Sequence, residues 1–518
     1  MLKASIRYDD LKAPVELLDG GFLFGDSRIE PFGHRLLRSE ALIGPGRRAV
    51  IVRERLADDQ RPAAEARRLD DAGVEAALAA LEAYPLDWLS VVWDPAGRAV
   101  RFACSHWGLA PIYLRGDSDQ VTASWSPSEL LVPGELPVDA VAASRFLAGS
   151  ACYGAETMVA GLRRLTAAST IAAEPGRLAV RYPPSSPGVT PADVAAGEDP
   201  VTLLLDATAA LMELRPLRPD RTAVEISGGM DSAITSLVAA RAFGPGLLSY
   251  GAVFEGDMGR DQVARRNLIV GTGGMADLAV PAARLAPYGV TSPRRTPLTV
   301  WPHDENYPEI FEPMIAFCAG AGIDALITGS GGDELYPLYP HERGGAAPSD
   351  RGSLLTERAR ALLPGTGDGY PFAGVLESAW VAAAARSERL LRHGIWPVYP
   401  FHSRLLTQFT FRLPAQLRHD RRLHRMSLTR LTGDACFETD YVKETFGPTL
   451  NIGLARNREF IQALVADARS TALGLVDGPA AEALAARAPD SLNADERDTL
   501  FFLINFETFV RGQPARLA

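Results

Sequence analysis

The chain has 518 residues, enough for two or three domains with a full hydrophobic core, and its 47% hydrophobic and 22% charged residues are ordinary for a globular protein. A net charge of −10 argues against a nucleic-acid partner held by a basic field. Four scattered cysteines (Cys104, Cys152, Cys318 and Cys436) form no Cys-x-x-Cys pair, so neither a zinc site nor a disulfide framework is indicated.

In chain order, residues 1 to about 180 read as short β segments joined by turns, at 21–23, 48–53, 88–93, 98–103, 112–114 and 121–124. One amphipathic helix, over 71–83, interrupts them. A Pro/Ser-rich stretch over 183–191 reads as a linker and divides the chain into units over 1–185 and 195–518. Beyond it come a helix over 200–214, a β-run ending near 226, an Ala-rich helix from 233 and a strand over 247–254. A helix over 259–271, a short strand near 277–280 and a strand over 325–328 follow. This alternation predicts an α/β fold with a parallel sheet covered on both faces, whose ligands sit at the carboxyl ends of the strands. Residues 344–367 lack periodicity and read as a mobile loop, and from about 371 onward the pattern is mainly helical. No signal peptide and no apolar run of spanning length is seen, so a cytoplasmic protein with no membrane partner is expected.

The most informative run is Ser227-Gly228-Gly229-Met230-Asp231-Ser232, between a β-run and a helical pattern. Its glycines let the backbone turn tightly against a bound oxyanion. Helix N-terminal N–H groups and the Ser227 and Ser232 hydroxyls would hold that anion. Asp231 would repel a phosphate unless a cation sits between them, so the economical reading is a Mg²⁺-bound pyrophosphate. The bland alternative is a helix N-cap after a tight turn. A second run, Thr328-Gly329-Ser330-Gly331-Gly332-Asp333-Glu334-Leu335-Tyr336, repeats the logic: a buried strand, glycines, then acids. Asp333 could join Asp231 on Mg²⁺, with Thr328 and Gly329 near a nucleotide. Of the 53 Lys and Arg residues, only Lys3, Lys12 and Lys443 are lysines, so Lys443 stands out as a compact ammonium kept where Arg was otherwise used.

With Tyr399-Pro400-Phe401 and Tyr441-Val442-Lys443-Glu444-Thr445-Phe446-Gly447, these runs resemble the synthetase domain of the asparagine synthetase superfamily. That group includes β-lactam synthetase, carbapenam synthetase and the cyclases that close lasso peptides. The resemblance implies a parallel-sheet PP-loop ATP pyrophosphatase domain with a helical C-terminal part. Lys443 falls on the family's catalytic Lys, Asp231 and Asp333 on its Mg²⁺ ligands. Ile226 and Ala252 would flank adenine, with Thr328 and Gly329 at the AMP. The stretches 88–103, 106–113 and 122–131 resemble the family's glutaminase domain, an Ntn-hydrolase-like sandwich. That domain needs a cysteine directly after the initiator Met; here Leu2 and Lys3 stand there and the first cysteine is Cys104, so the sandwich is expected to be degenerate and inactive on glutamine.

The expected activity is therefore an ATP-dependent, AMP-forming carbon–nitrogen ligase that adenylates a carboxylate and joins it to an amine. Intramolecular lactam or macrolactam closure in natural-product (antibiotic) biosynthesis, as in lasso peptides, is favoured. The expected cofactors are ATP and Mg²⁺, and the partners are a peptide or small-molecule acid and amine, with room for pathway proteins. Ser330 replaces the Glu or Tyr that precedes the paired glycines in the family, and a Ser hydroxyl is a poor general base. Glu377, His303 and Asp304 are the substitute candidates. The stretch 301–307 is a candidate for the substrate side, although its acids read more readily as a solvated loop. The alternatives are an intermolecular amide ligase, an ammonia-dependent asparagine synthetase, a nucleotide-binding scaffold, and a tRNA thiolase, for which the cysteines and basic face are missing.

Overall fold

Period-two patterning builds the first part of the chain. In the strand Leu2–Arg7, Leu2, Ala4 and Ile6 are buried while Lys3, Ser5 and Arg7 face outward. This computed structural model describes residues 1–517 except 133, 135, 150–152, 183–193, 195, 196, 303, 337–351, 364–376 and 439–442. Leu2–Arg7 lies inside a seven-stranded antiparallel sheet ordered Leu162–Arg164, Tyr113–Gly116, Gln120–Ser124, Leu2–Arg7, Ser27–Pro31, Gly21–Phe24, Glu16–Leu18. A second seven-stranded sheet runs Arg177–Arg181, Thr170–Glu174, Val100–Cys104, Trp88–Trp93, Arg48–Glu54, Leu37–Ile43, Ala64–Arg68. Only its last pairing is parallel among the described residues.

The two sheets share one core, with Ile6, Phe22 and Leu114 from the first meeting Val50, Val91 and Phe102 from the second. Val50 and Val52 face the sandwich, whereas Ala49 and Ile51 pack under the helix Asp71–Ala80 with Val74 and Leu81. Burial on both faces explains the apolar run 49–52 and the wholly buried strand Trp88–Trp93. The structure adds elements the pattern did not mark: the strands Leu37–Ile43 and Ala64–Arg68, and a second helix, Ala140–Leu147, capped by Asp139.

The second part of the chain carries a five-stranded, all-parallel sheet in the order Ala276–Pro281, Leu248–Val253, Thr222–Glu225, Ala325–Ile327, Trp396–Val398. Val224 packs with Ile234 and Leu237 of the helix Met230–Phe243 on one face. Ala223 packs with Ile310 and Met314 of the helix Pro308–Gly320 on the other. The sheet is covered on both sides, as the alternation predicted. Its strand Trp396–Val398 interrupts the mainly helical pattern after 371; three residues with Pro397 in the middle leave no period to read, and proline is tolerated there because the strand is an edge. The linker at 183–191 lies outside the described residues. Of the expected loop over 344–367, the described part, 352–363, contains the short helix Glu357–Arg360 capped by Thr356.

The two parts are tied together. Arg35 forks onto Asp324 with two 2.7 Å bonds, and Arg215 pairs with Glu54 in a buried contact. Near the C-terminus the strand Ala515–Leu517 returns to pair with Leu136–Val138. Among the described residues, no helix is long and apolar enough to cross a membrane.

Candidate functional site

Thr222–Glu225 and Ala325–Ile327 are adjacent parallel strands in register, Thr222 opposite Ala325 and Val224 opposite Ile327. Both glycine-rich runs therefore leave the sheet side by side at its carboxyl end, the usual ligand position in a parallel sheet. Together they line a cavity of about 700 Å³, within the usual range for small-ligand sites.

The first run turns through Gly228 at φ +91° and enters the helix Met230–Phe243. Ser227 and Ser232 face each other with hydroxyls 3.0 Å apart; the Ser232 hydroxyl accepts the Ser227 N–H at 3.1 Å, and the Ser227 hydroxyl accepts that of Gly229 at 3.1 Å. The first-turn N–H groups of the helix have no intrahelical carbonyl to bond, and Gly229 to Ser232 line the cavity. In the second run, the Ser330 N–H bonds the Thr328 hydroxyl at 3.1 Å. Gly332 passes so close to Asp231 that any Cβ would collide with its carboxylate.

The structure brings Asp231, Asp333 and Lys443 together. One guanidinium nitrogen of Arg421 bonds Asp231 at 3.0 Å and also Asp333, and the Lys443 ammonium bonds Asp333. His424 Nδ1 lies 3.0 Å from Asp231. Burial pushes the Asp231 pKa up, but His424, Arg421 and Lys443 outweigh it and hold the carboxyl below its ordinary value. Burial pulls Lys443 down, but its bond to Asp333 wins and raises it, so Lys443 is an ammonium at neutral pH. Two carboxylates sharing one cation are a hard-oxygen donor set that fits Mg²⁺, with phosphate oxygens and water completing the shell. Among the described residues, no group of three or more His, Cys, Asp or Glu could hold a metal unaided.

Ser227, Gly229, Asp231, Ser232, Ala252, Thr328, Gly329, Ser330, Asp333 and Lys443 all line this cavity. Ile226 does not: its side chain is fully buried in the core, and only its backbone reaches the turn, its carbonyl bonded by Arg266. Gly228 is likewise absent from the lining, its carbonyl taken by Arg265 at 3.1 Å. Glu377 starts the helix Glu377–Arg392 with its side chain outside the described residues, and His303 lies outside them altogether. Asp304 is buried in a fork with Arg389 (3.1 and 2.6 Å), which leaves it poorly placed to take a proton. The solvated reading of 301–307 is corrected too, because Asp304 and Glu305 line the cavity paired with Arg389 and Arg386. Those arginines stand three apart on one helix face, so each meets an acid of the facing segment.

Several site residues were missed. Arg386 forks onto Glu225 with two 3.0 Å bonds and also holds Glu305 at 2.6 Å. Arg421 carried no signal in a chain so rich in Arg. Gln262, Arg265 and Arg266 are buried on the helix Gly256–Gly273 at i, i+3, i+4 spacing, a polar face that periodicity could have shown. Compared with protein-family models and with curated proteins, the chain matches none.

Proposed function

We propose that this protein is an ATP-dependent, AMP-forming amide synthetase built like the synthetases of the asparagine synthetase superfamily, and that it closes a lactam or macrolactam within one substrate. One observation carries the reading. Asp231, Asp333 and Lys443 come from segments about a hundred residues apart and meet in one cavity, behind two glycine turns on adjacent parallel strands.

In this reading the substrate carboxylate attacks the α-phosphorus of ATP. A carboxylate O–P bond forms, and the bond to the leaving pyrophosphate breaks. The turn at Ser227–Gly229 and the first-turn N–H groups receive the pyrophosphate. Mg²⁺ held by Asp231 and Asp333 would neutralise phosphate charge there. The amine then attacks the activated carbonyl, the amide C–N bond forms, AMP leaves with the carboxyl oxygen, and the amine's proton passes to solvent. Lys443, an ammonium, stabilises the negative charge that develops on the carbonyl oxygen or the departing phosphate. Ser330 lines the cavity but has no basicity to offer.

The N-terminal sandwich supports the absence of a glutamine-derived ammonia supply. Cys104 is buried, its thiol pKa pushed up to about 12 by burial, and its Sγ lies 3.0 Å from the Thr166 carbonyl. Such a thiol is no nucleophile at neutral pH.

Mass spectrometry of candidate acids and peptides, incubated with enzyme and Mg·ATP, tests the reading. AMP formation with loss of one water from a single molecule is expected, and Lys443→Met should slow it about 10²–10³-fold. A product joining two molecules would replace lactam closure with intermolecular ligation. ADP in place of AMP would overturn adenylation.

A further inference from the structure

Behind the first glycine turn, the helix Gly256–Gly273 presents three buried side chains to three successive carbonyls. Arg266 bonds the Ile226 carbonyl, Gln262 Nε2 the Ser227 carbonyl at 2.6 Å, and Arg265 Nε the Gly228 carbonyl at 3.1 Å. Gln262 is fixed in turn, donating to the Ala252 carbonyl at 3.0 Å and accepting the Phe254 N–H at 2.9 Å. These bonds fix the turn's carbonyls against the helix, while the Ser227 and Gly229 N–H groups are taken by the Ser232 and Ser227 hydroxyls.

The same Arg265 guanidinium makes an ion pair with Glu444, and both side chains are only 7% exposed. Glu444 adjoins Lys443, whose side chain is 59% exposed and bonds Asp333. Phe446 closes the segment on the other side, stacked on Tyr307 at 4.3 Å and edge-on to Phe254 at 5.0 Å. Lys443 is thus a solvent-facing cation whose backbone is pinned through its neighbours. The nearest pin runs through Arg265 to the turn.

We propose that Arg265 and Glu444 form a strut that makes the shape of the 227–229 turn and the placement of Lys443 a single event. Arg265 acts as a positioning residue, holding a turn carbonyl with Nε and Glu444 with Nη2. An arginine fork can do both at once, and a lysine cannot. What the strut serves rests on the synthetase reading above: the group that receives pyrophosphate and the ammonium that stabilises the reacting centre would be set together.

Amide hydrogen exchange on the full-length, ligand-free protein tests the strut without relying on catalysis. Glu444→Gln should speed exchange across 227–232, and Arg265→Met should speed it across 443–447, each by about tenfold, as expected when two sites are coupled. The double variant should be no worse than Arg265→Met alone, the mark of residues acting as one unit. Arg265→Lys should keep one contact and lie between. Unchanged exchange in the N-terminal sheets checks that each variant is folded. Faster exchange confined to the mutated residue's own segment, or effects that multiply in the double variant, would overturn the strut. A second readout bears on the synthetase reading separately: Glu444→Gln, which keeps the Gly228 contact, should lower kcat for AMP formation about tenfold and leave the KM for ATP within about twofold. If wild-type protein forms no AMP with any acid while the exchange pattern holds, the strut stands and the synthetase reading falls.

Discussion

Lys443 and Asp333 show how a single residue's chemistry is set by its neighbours. The ammonium is raised above its ordinary pKa by the carboxylate beside it, so its role is that of a fixed charge rather than a base. In the proposed synthetase, replacing it with Met removes a charge aimed at the reacting centre, and losing one such preorganised group costs about 10²–10³-fold in rate. Steady-state AMP formation should show that loss, while equilibrium ATP binding, which rests mainly on backbone groups, should persist. His402 gives a pH prediction. Its Nε2 lies 3.2 Å from the Ala379 carbonyl, and its ring packs edge-on to Trp107 at 5.3 Å. Burial lowers its pKa from 6.5 to about 4, against the opposing pull of the Ala379 and Ser330 carbonyls. Below pH 6.5 the unfolded chain binds a proton that the folded chain refuses until pH falls to about 4. Stability is therefore unaffected by His402 above pH 6.5 and falls as pH drops from 6.5 towards 4, by up to about 3 kcal/mol. Urea unfolding at pH 7.5 and 5 should show a smaller difference for His402→Gln than for wild type.

At the scale of elements, the turn after Thr222–Glu225 depends on the helix that clamps it. Gly228 sits at φ +91°, and an added Cβ would lie 2.8 Å from Gln262 Cγ. Gly228→Ala is strained and crowded at once, and should destabilise the protein by about 1–3 kcal/mol. Because Gln262 must give way, it should also weaken ATP binding, read by titration calorimetry, by more than its stability cost alone implies. The helix near 71 was read from its periodicity, whereas the caps that fix the helix starts were not singled out. Asp70 caps the helix Asp71–Ala80, and the last long helix, Ala494–Val510, begins with a full capping box between Asn493 and Glu496. The strand Trp396–Val398 and the edge strand Ala64–Arg68 were not legible. Ala64–Arg68 holds no strand-favouring residue and Pro397 interrupts Trp396 and Val398; pairing with a neighbour already in place makes each a strand.

At the scale of the whole molecule, charged pairs join the sandwich to the parallel-sheet part. Arg215 and Glu54 are buried against each other, and Arg35 forks onto Asp324 just before the strand that feeds the second glycine run. Removing one partner of a buried pair leaves the other charge stranded, at a cost of about 3–5 kcal/mol. Arg215→Met should lower the urea midpoint accordingly, and adding Glu54→Gln should recover part of the loss. The sandwich and the parallel-sheet part should then unfold in one transition in wild type and separate into two in Arg215→Met, if this contact holds them as a unit.

The sequence by itself determined the local parts of the site. Two glycine runs ending in Asp231 and Asp333, and one lysine in an arginine-rich chain, are visible because their information is local: residue types at fixed spacing and the turn chemistry they require. Ala252, Thr328 and Gly329, which the resemblance put near the nucleotide, line the cavity because they lie at the carboxyl ends of parallel strands. Only the tertiary structure decided what surrounds them. Arg421 between the two carboxylates, the bond of Arg386 to Glu225, and the link from Arg265 to Glu444 join residues 88 to 190 positions apart. A charged side chain carries no sign in the sequence of which opposite charge it will meet. That choice is made when strands and helices pack, because burial makes an unpaired charge too costly to keep.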